Sequence, residues 1–92
     1  MIKIEYSAIC YIESYSDYLK IHTENDTIIT RETITAIEAK MPKQQFLRIH
    51  RSYIISIHFI QSFTNEYITI NRQALPISRS YKKEVLKQLE KF

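Results

Sequence analysis

Tyr18-Leu19-Lys20-Ile21-His22-Thr23-Glu24-Asn25-Asp26-Thr27-Ile28-Ile29-Thr30 alternates, breaks, and alternates again. Successive side chains of a strand point to opposite faces, so Leu19 and Ile21 share one face and Lys20 and His22 the other. Glu24-Asn25-Asp26 interrupts the pattern and Thr27–Thr30 resumes it. The stretch predicts a β-hairpin turning at Asn25-Asp26. Composition points the same way. Seventeen isoleucines, seven threonines and one valine stand against five leucines and four alanines. Such β-branched side chains suit a pleated sheet and are stiff in helices.

Working outward, Ile9-Cys10-Tyr11-Ile12 is a short apolar strand. Downstream of the hairpin, Ile34, Ile37 and Met41 recur at helical spacing. Thr33 is placed to cap that helix and Pro42 to stop it. Leu47 and Ile49 then alternate with Arg48 and His50, predicting an amphipathic strand with its cationic face outward, interrupted at Arg51-Ser52. Two more strands are expected over Ile55–Ile60 and Glu66–Ile70. Ala74–Ile77 forms a last one, and Pro76 assigns it to a sheet edge. Ser80 reads as the N-cap of a closing helix with an apolar stripe of Val85, Leu86 and Leu89, and with Lys87 and Lys91 near its C-terminus. Leu47, Ile49, Ile54, Ile57, Ile68, Ile70 and Ile77 are core candidates. The sum is a mostly-β domain of short strands with two short helices. This is not the three-helix arrangement of helix-turn-helix proteins.

The 92 residues suit one domain, residues 1–92, with residues 1–7 either the tail of a linker or a first strand. The sequence contains no glycine. That excludes GxGxxG, the P-loop, the EF-hand loop and the GxSxG elbow, all of which need glycine for close approach or positive φ. Turns must therefore rely on Asn25-Asp26, Asn65 and Asn71, which tolerate the left-handed region, and some of these should show positive φ. One cysteine, Cys10, allows no intramolecular disulfide. With no secretory pattern and no apolar run long enough to span a bilayer, the expected setting is the cytoplasm, away from membranes.

Net charge is +3, unevenly spread. Residues 1–46 carry five basic and seven acidic side chains, residues 47–92 eight basic and three acidic. A basic C-terminal half suits a polyanion. No catalytic constellation emerges, and no cofactor or small-molecule substrate is implied. His22, His50, His58 and Cys10 are scattered without metal-ligand spacing; His22 reads as an exposed strand residue and Cys10 as core filler. The cationic features are sharper. Arg48, His50 and Arg51 end one strand, Arg79 sits between two serines before a helix, and Lys82 and Lys83 lie in that helix's first turn. Cations there oppose the helix dipole unless a phosphate is the partner. Solvated surface charge is the alternative, as is an ion pair of Arg51 with Glu13 or Asp17.

Three motifs together carry a family resemblance: Tyr11-Ile12-Glu13-Ser14 with Asp17–Thr23, Phe46-Leu47-Arg48-Ile49-His50-Arg51-Ser52-Tyr53-Ile54-Ile55, and Leu75-Pro76-Ile77-Ser78-Arg79-Ser80-Tyr81-Lys82-Lys83. In order and spacing the chain resembles the LytTR family of bacterial DNA-binding domains from about Tyr6 to Leu89. The resemblance implies an elongated fold of about ten short strands in three small antiparallel sheets. It implies recognition of double-stranded DNA by loops in successive major grooves, commonly by two copies on direct repeats, with a possible homodimer there. Base reading maps onto Tyr18, Arg51 and Arg79. Phosphate contacts map onto His50, Ser80 and Lys82, with Lys20 and Lys83 as neighbours. Members commonly follow a receiver domain, as in two-component response regulators, and 92 residues hold none. Arginine suits bidentate contact with guanine. The rival readings are a single-stranded nucleic-acid binder stacking bases on the seven tyrosines, and a protein-interaction module with a basic face.

Overall fold

The computed structural model describes residues 4–91. The hairpin is present: β2 (Tyr18–Thr23) and β3 (Thr27–Thr30) pair antiparallel, with Leu19 opposite Thr30 and His22 opposite Thr27. Thr23 closes the turn, its Oγ1 accepting the Asp26 N–H at 3.1 Å. β1 (Ile9–Tyr15) pairs with β2 on one side and with β5 (Tyr53–Ser56) on the other; β4 (Phe46–His50) lies beyond β5. The five strands form one antiparallel sheet in the order β3-β2-β1-β5-β4. A second sheet holds β6 (Ser62–Phe63), β7 (Tyr67–Ile70) and β8 (Gln73–Pro76). β8 is an edge strand, as Pro76 requires. The helices are α1 (Ile34–Lys40) and α2 (Arg79–Leu89). The domain measures 37 × 24 × 22 Å, so it is elongated. The class is mostly β with two short helices, as expected. The finer tally among the described residues is eight strands in two sheets, where the resemblance implies about ten in three.

Both faces of the large sheet are covered near its middle, which explains the successive buried apolar residues at Ile9–Ile12 of β1 and Ile54-Ile55 of β5. On one face Ile9, Ile12, Leu19, Ile21, Phe46 and Ile54 meet Ile34 and Met41 from α1 and its end. On the other, Cys10, Ile49 and Ile55 meet Ile68, Ile70 and Leu75 of the small sheet and Val85 and Leu89 of α2. Adjacent Ile54 and Ile55 thus serve opposite cores, as a period of two demands. Of the core candidates Leu47 and Ile57 are only half-buried; the other five are buried.

Several local expectations change. Ile55–Ile60 is not one strand. β4 begins at Phe46 opposite Ser56, the pairing ends with Ile57 N–H donating to the Gln45 carbonyl at 2.8 Å, and Ile57–Phe59 forms a 3-10 turn leading to the small sheet. The closing helix starts two residues earlier than read: Ser78 is the N-cap and Ser80 lies in the first turn. Thr33 caps α1 as expected, accepting the Ala36 N–H at 3.1 Å. Positive φ occurs at Asn71 (50°), but also at Ser16 (56°) and Arg72 (66°), and not at Asn25, Asp26 or Asn65. The 24–26 loop is long enough to avoid that region, whereas Asn71-Arg72 is a two-residue hairpin turn that needs it twice. Residues 1–3 of the expected linker segment lie outside the described residues. The rest folds onto the domain: Tyr6–Ala8 is a 3-10 turn, not a strand, and Tyr6 donates to the Lys40 carbonyl at 3.2 Å.

Antiparallel pairing sorts the connections to two ends. The 24–26 loop, the start of β4, the 57–59 turn and the Asn71-Arg72 turn lie at one end. The Ser16-Asp17 turn, Arg31, the Arg51-Ser52 turn and the start of α2 lie at the other.

Candidate nucleic-acid interface

Two backbone bonds tie the three sequence motifs together. Ser14 N–H donates to the Ser52 carbonyl at 2.8 Å, joining the first motif to the second. Ser78 N–H donates to the Ile49 carbonyl at 3.0 Å, joining the second to the third. Tyr18, Arg51 and Arg79, more than 60 residues apart along the chain at the extremes, therefore stand at one end of the large sheet, and all three are exposed. No pairing of Arg51 with Glu13 or Asp17 is among the ion pairs of the described residues.

His50 is half-buried beside this end, its ring centre 5.4 Å from that of Tyr53. Its Nδ1 accepts the Ser52 N–H at 3.0 Å, which leaves Nε2 to carry the proton. Burial, then the nearby charges of Arg51 and Arg48, hold its pKa below the ordinary value. The side chain is thus a neutral donor, suited to an acceptor such as a phosphate oxygen. Ser80 is exposed, its Oγ 3.3 Å from that of Ser78. Lys82 and Arg79 line a shallow cavity of about 250 Å³ with Glu66, Tyr67, Pro76 and Ile77. Lys83 is exposed on α2, one residue further round the helix. Lys20 is set back from the end, opposite Glu13 and Ile29 in the middle of β2, and its Nζ sits 4.3 Å over the Tyr15 ring.

Two residues at this end were not singled out by sequence. Arg31 sits with its guanidinium carbon 5.6 Å from the Tyr18 ring centre. The hairpin register would have found it, since Leu19 opposite Thr30 sets Tyr18 beside Arg31. Tyr67 is 47% exposed in the cavity beside Arg79; only the tertiary fold brings it there.

Arg48 corrects the expectation of an outward cation. Its side chain is only 10% exposed. Nη1 donates to Glu38 Oε1 of α1 at 2.6 Å, Nε to the His50 carbonyl at 2.7 Å and Nη2 to the Arg51 carbonyl at 2.7 Å. β4 is a sheet edge, where a long side chain can fold back over the next turn. His22 is likewise not simply exposed: it stacks on Tyr11 at 4.2 Å, and its Nε2 lies 3.1 Å from Glu13 Oε1. Cys10 is a fully buried core residue, and burial pushes its thiol pKa up. Among the described residues no group of three or more His, Cys, Asp or Glu side chains is placed to hold a metal ion. No described helix is long and apolar enough to cross a membrane.

Comparison with known proteins gives the same answer as the three motifs. Residues 1–90 match the LytTr DNA-binding domain family. The sensory transduction protein LytT of Bacillus anthracis is 30% identical over 95 residues, covering 97% of this chain and 39% of that protein. The transcriptional regulatory protein LytR of Staphylococcus aureus is 30% identical over 79 residues, covering 79% of this chain and 32% of that protein. The chain thus spans well under half the length of these relatives. A solved LytTr DNA-binding domain from Bacillus cereus has the same fold, with a TM-score of 0.85, 24% identity, and coverage of 96% of this chain and 86% of that one. The chain belongs to the LytTR family of DNA-binding domains.

Proposed function

We propose that the domain reads double-stranded DNA sequence-specifically, by turns placed in the major groove, as the output of a transcription regulator. The observation that supports this most is the meeting of Ser16–Tyr18, His50–Ser52 and Ser78–Ser80 at one end of the sheet, each offering exposed polar or cationic groups. In this reading Arg51 and Arg79 read guanines and Tyr18 touches a base edge, a thymine methyl being the natural apolar partner. His50, Ser80, Lys82 and Lys83 hold phosphates, with Lys20 and the α2 N-terminus adding donors. Lys20 starts two residues back from the turn, and its ammonium reaches over Tyr15 toward that end.

Such a domain is not an enzyme and needs no cofactor. It acts in the cytoplasm, where the chromosome of a bacterium lies. The relatives named above extend well beyond the matched region, which accommodates a preceding receiver and a response-regulator role for the whole protein. Two copies on direct repeats would then act together. Selection from a random duplex library tests the reading. A recurring motif, with half-sites about one helical turn apart, is expected. The tyrosines Tyr15, Tyr18 and Tyr67 exposed at the same end favour one rival, stacking on single-stranded bases. A single strand that competes as well as the selected duplex would establish that rival instead.

A further inference from the structure

The Arg51-Ser52 turn lacks the backbone device that the other two-residue hairpin turns use. Ser16-Asp17 has positive φ at Ser16, and Asn71-Arg72 has it at both residues. Such mirror-image turns match the twist of paired strands, whereas turns with negative φ splay them. Arg51 and Ser52 are not at positive φ, although His50 opposite Tyr53 leaves only these two residues between the strands. The register also shifts between Arg48 and His50. Side chains hold this turn instead. His50 takes the Ser52 N–H, and Arg48 donates to the carbonyls of His50 and Arg51, the peptide groups on the two sides of the Arg51 Cα.

The same guanidinium reaches both helices. It bonds Glu38 of α1, and its central carbon lies 5.5 Å from the Tyr81 ring centre of α2. Three of its five donor directions are occupied, and the side chain is 10% exposed, so little is left to offer a phosphate. We propose that Arg48 is a positioning residue, which sets the turn that aims Arg51 and registers it against α2, and does not itself bind DNA. The inference rests on the proposed DNA reading for its functional meaning. Its geometric part stands without DNA.

A lysine keeps the charge but cannot make the planar fork. Arg48→Lys and Arg48→Gln are therefore compared with Arg51→Ala and Arg79→Ala, using the duplex recovered by selection and single-base variants of it. Both Arg48 variants should lose about tenfold in affinity, the scale of one charge-assisted hydrogen bond. They should relax base choice at the position that Arg51→Ala relaxes, leaving the position of Arg79→Ala and the salt slope unchanged. Equal weakening on every duplex, a salt slope reduced by about one unit in Arg48→Gln, and rescue by lysine would instead make Arg48 a phosphate contact. Unchanged base choice would overturn the proposal outright.

A second readout needs no DNA. Ser52 amide hydrogen exchange should rise at least about tenfold in Arg48→Lys, while exchange at Arg72 stays as it was; equal change at both turns, or no change at either, would refute the positioning role. Should Arg48→Lys not fold, Glu38→Gln decides by the same criteria. It keeps both carbonyl bonds, so a loss of about threefold confined to the same base position is expected, and no effect would overturn the proposal. A wild-type domain that selects no duplex sequence would sink the DNA reading alone; the exchange experiment would still judge the turn.

Discussion

The two ends of the large sheet are built from similar parts and differ in how those parts are held. At the far end the chain turns through Glu24-Asn25-Asp26, and through Asn71-Arg72, where left-handed backbone fixes the geometry. At the near end Ser16-Asp17 uses left-handed backbone as well, but the Arg51-Ser52 turn is held by the Arg48 and His50 side chains and by the Ser14 N–H on the Ser52 carbonyl, and Ser78 N–H is tied to the Ile49 carbonyl. The far end carries Glu24 and Asp26 at its hairpin tip together with Arg72; the near end presents Arg31, Arg51 and Arg79 together with Asp17. Left-handed backbone shapes the Asn71-Arg72 turn, and the Gln61 side chain accepts the Arg72 N–H at 3.0 Å. A turn fixed by neighbours can be aligned with other turns, and that alignment is what one face of a duplex requires.

Replacing side chains at the two ends should have unequal consequences. Arg79→Ala is expected to cost most, about 1–3 kcal/mol on the preferred duplex, with relaxed base choice at one position. Binding titrations across single-base variants measure this, and equal loss on all sequences would reassign Arg79 to phosphate. Lys82→Ala should weaken all duplexes alike and lower the salt slope by about one unit. An unchanged slope would remove Lys82 from the interface.

Titration offers a subtler test of the near end. Because burial and the adjacent arginines lower the pKa of His50, the unfolded chain takes up this proton more readily than the folded one. The contribution is fully present above the ordinary value of about 6.5 and is lost as pH falls below it. Between about pH 7 and about pH 5.5 the melting temperature should therefore fall less in His50→Asn, whose amide oxygen can replace Nδ1, than in the wild type. Identical slopes would show that His50 is not held neutral. Smallest of all is Arg72→Ala at the far end, expected to change affinity by less than about 0.5 kcal/mol, since a cation outside the interface adds only screened attraction. A loss matching that of Lys82→Ala would erase the distinction between the ends.

Much of this was legible in the sequence, for identifiable reasons. Alternation at Leu19 and Ile21, the Thr33 cap and the Pro76 edge depend on short-range rules, and all three hold. The three motifs were legible as a set, although only tertiary bonds bring them to one end. Arg48 departs from the outward position that alternation predicts, because alternation sets the face of a strand and not where a long side chain folds back to. Positive φ at Ser16 and Arg72 was missed because turn length, not residue preference, imposed it. Arg31 was readable from the hairpin register, whereas Tyr67 beside Arg79 depends on how the small sheet seats against the large one.

In the proposed reading one end of this sheet meets the duplex and the other does not. Backbone amide shifts followed during titration with the selected duplex test it most directly. The largest changes are expected at residues 16–18, 31, 50–52 and 78–83, with residues 24–26 and 71–72 nearly unmoved. Changes concentrated at the 24–26 and 71–72 turns, or spread evenly over both ends, would contradict it.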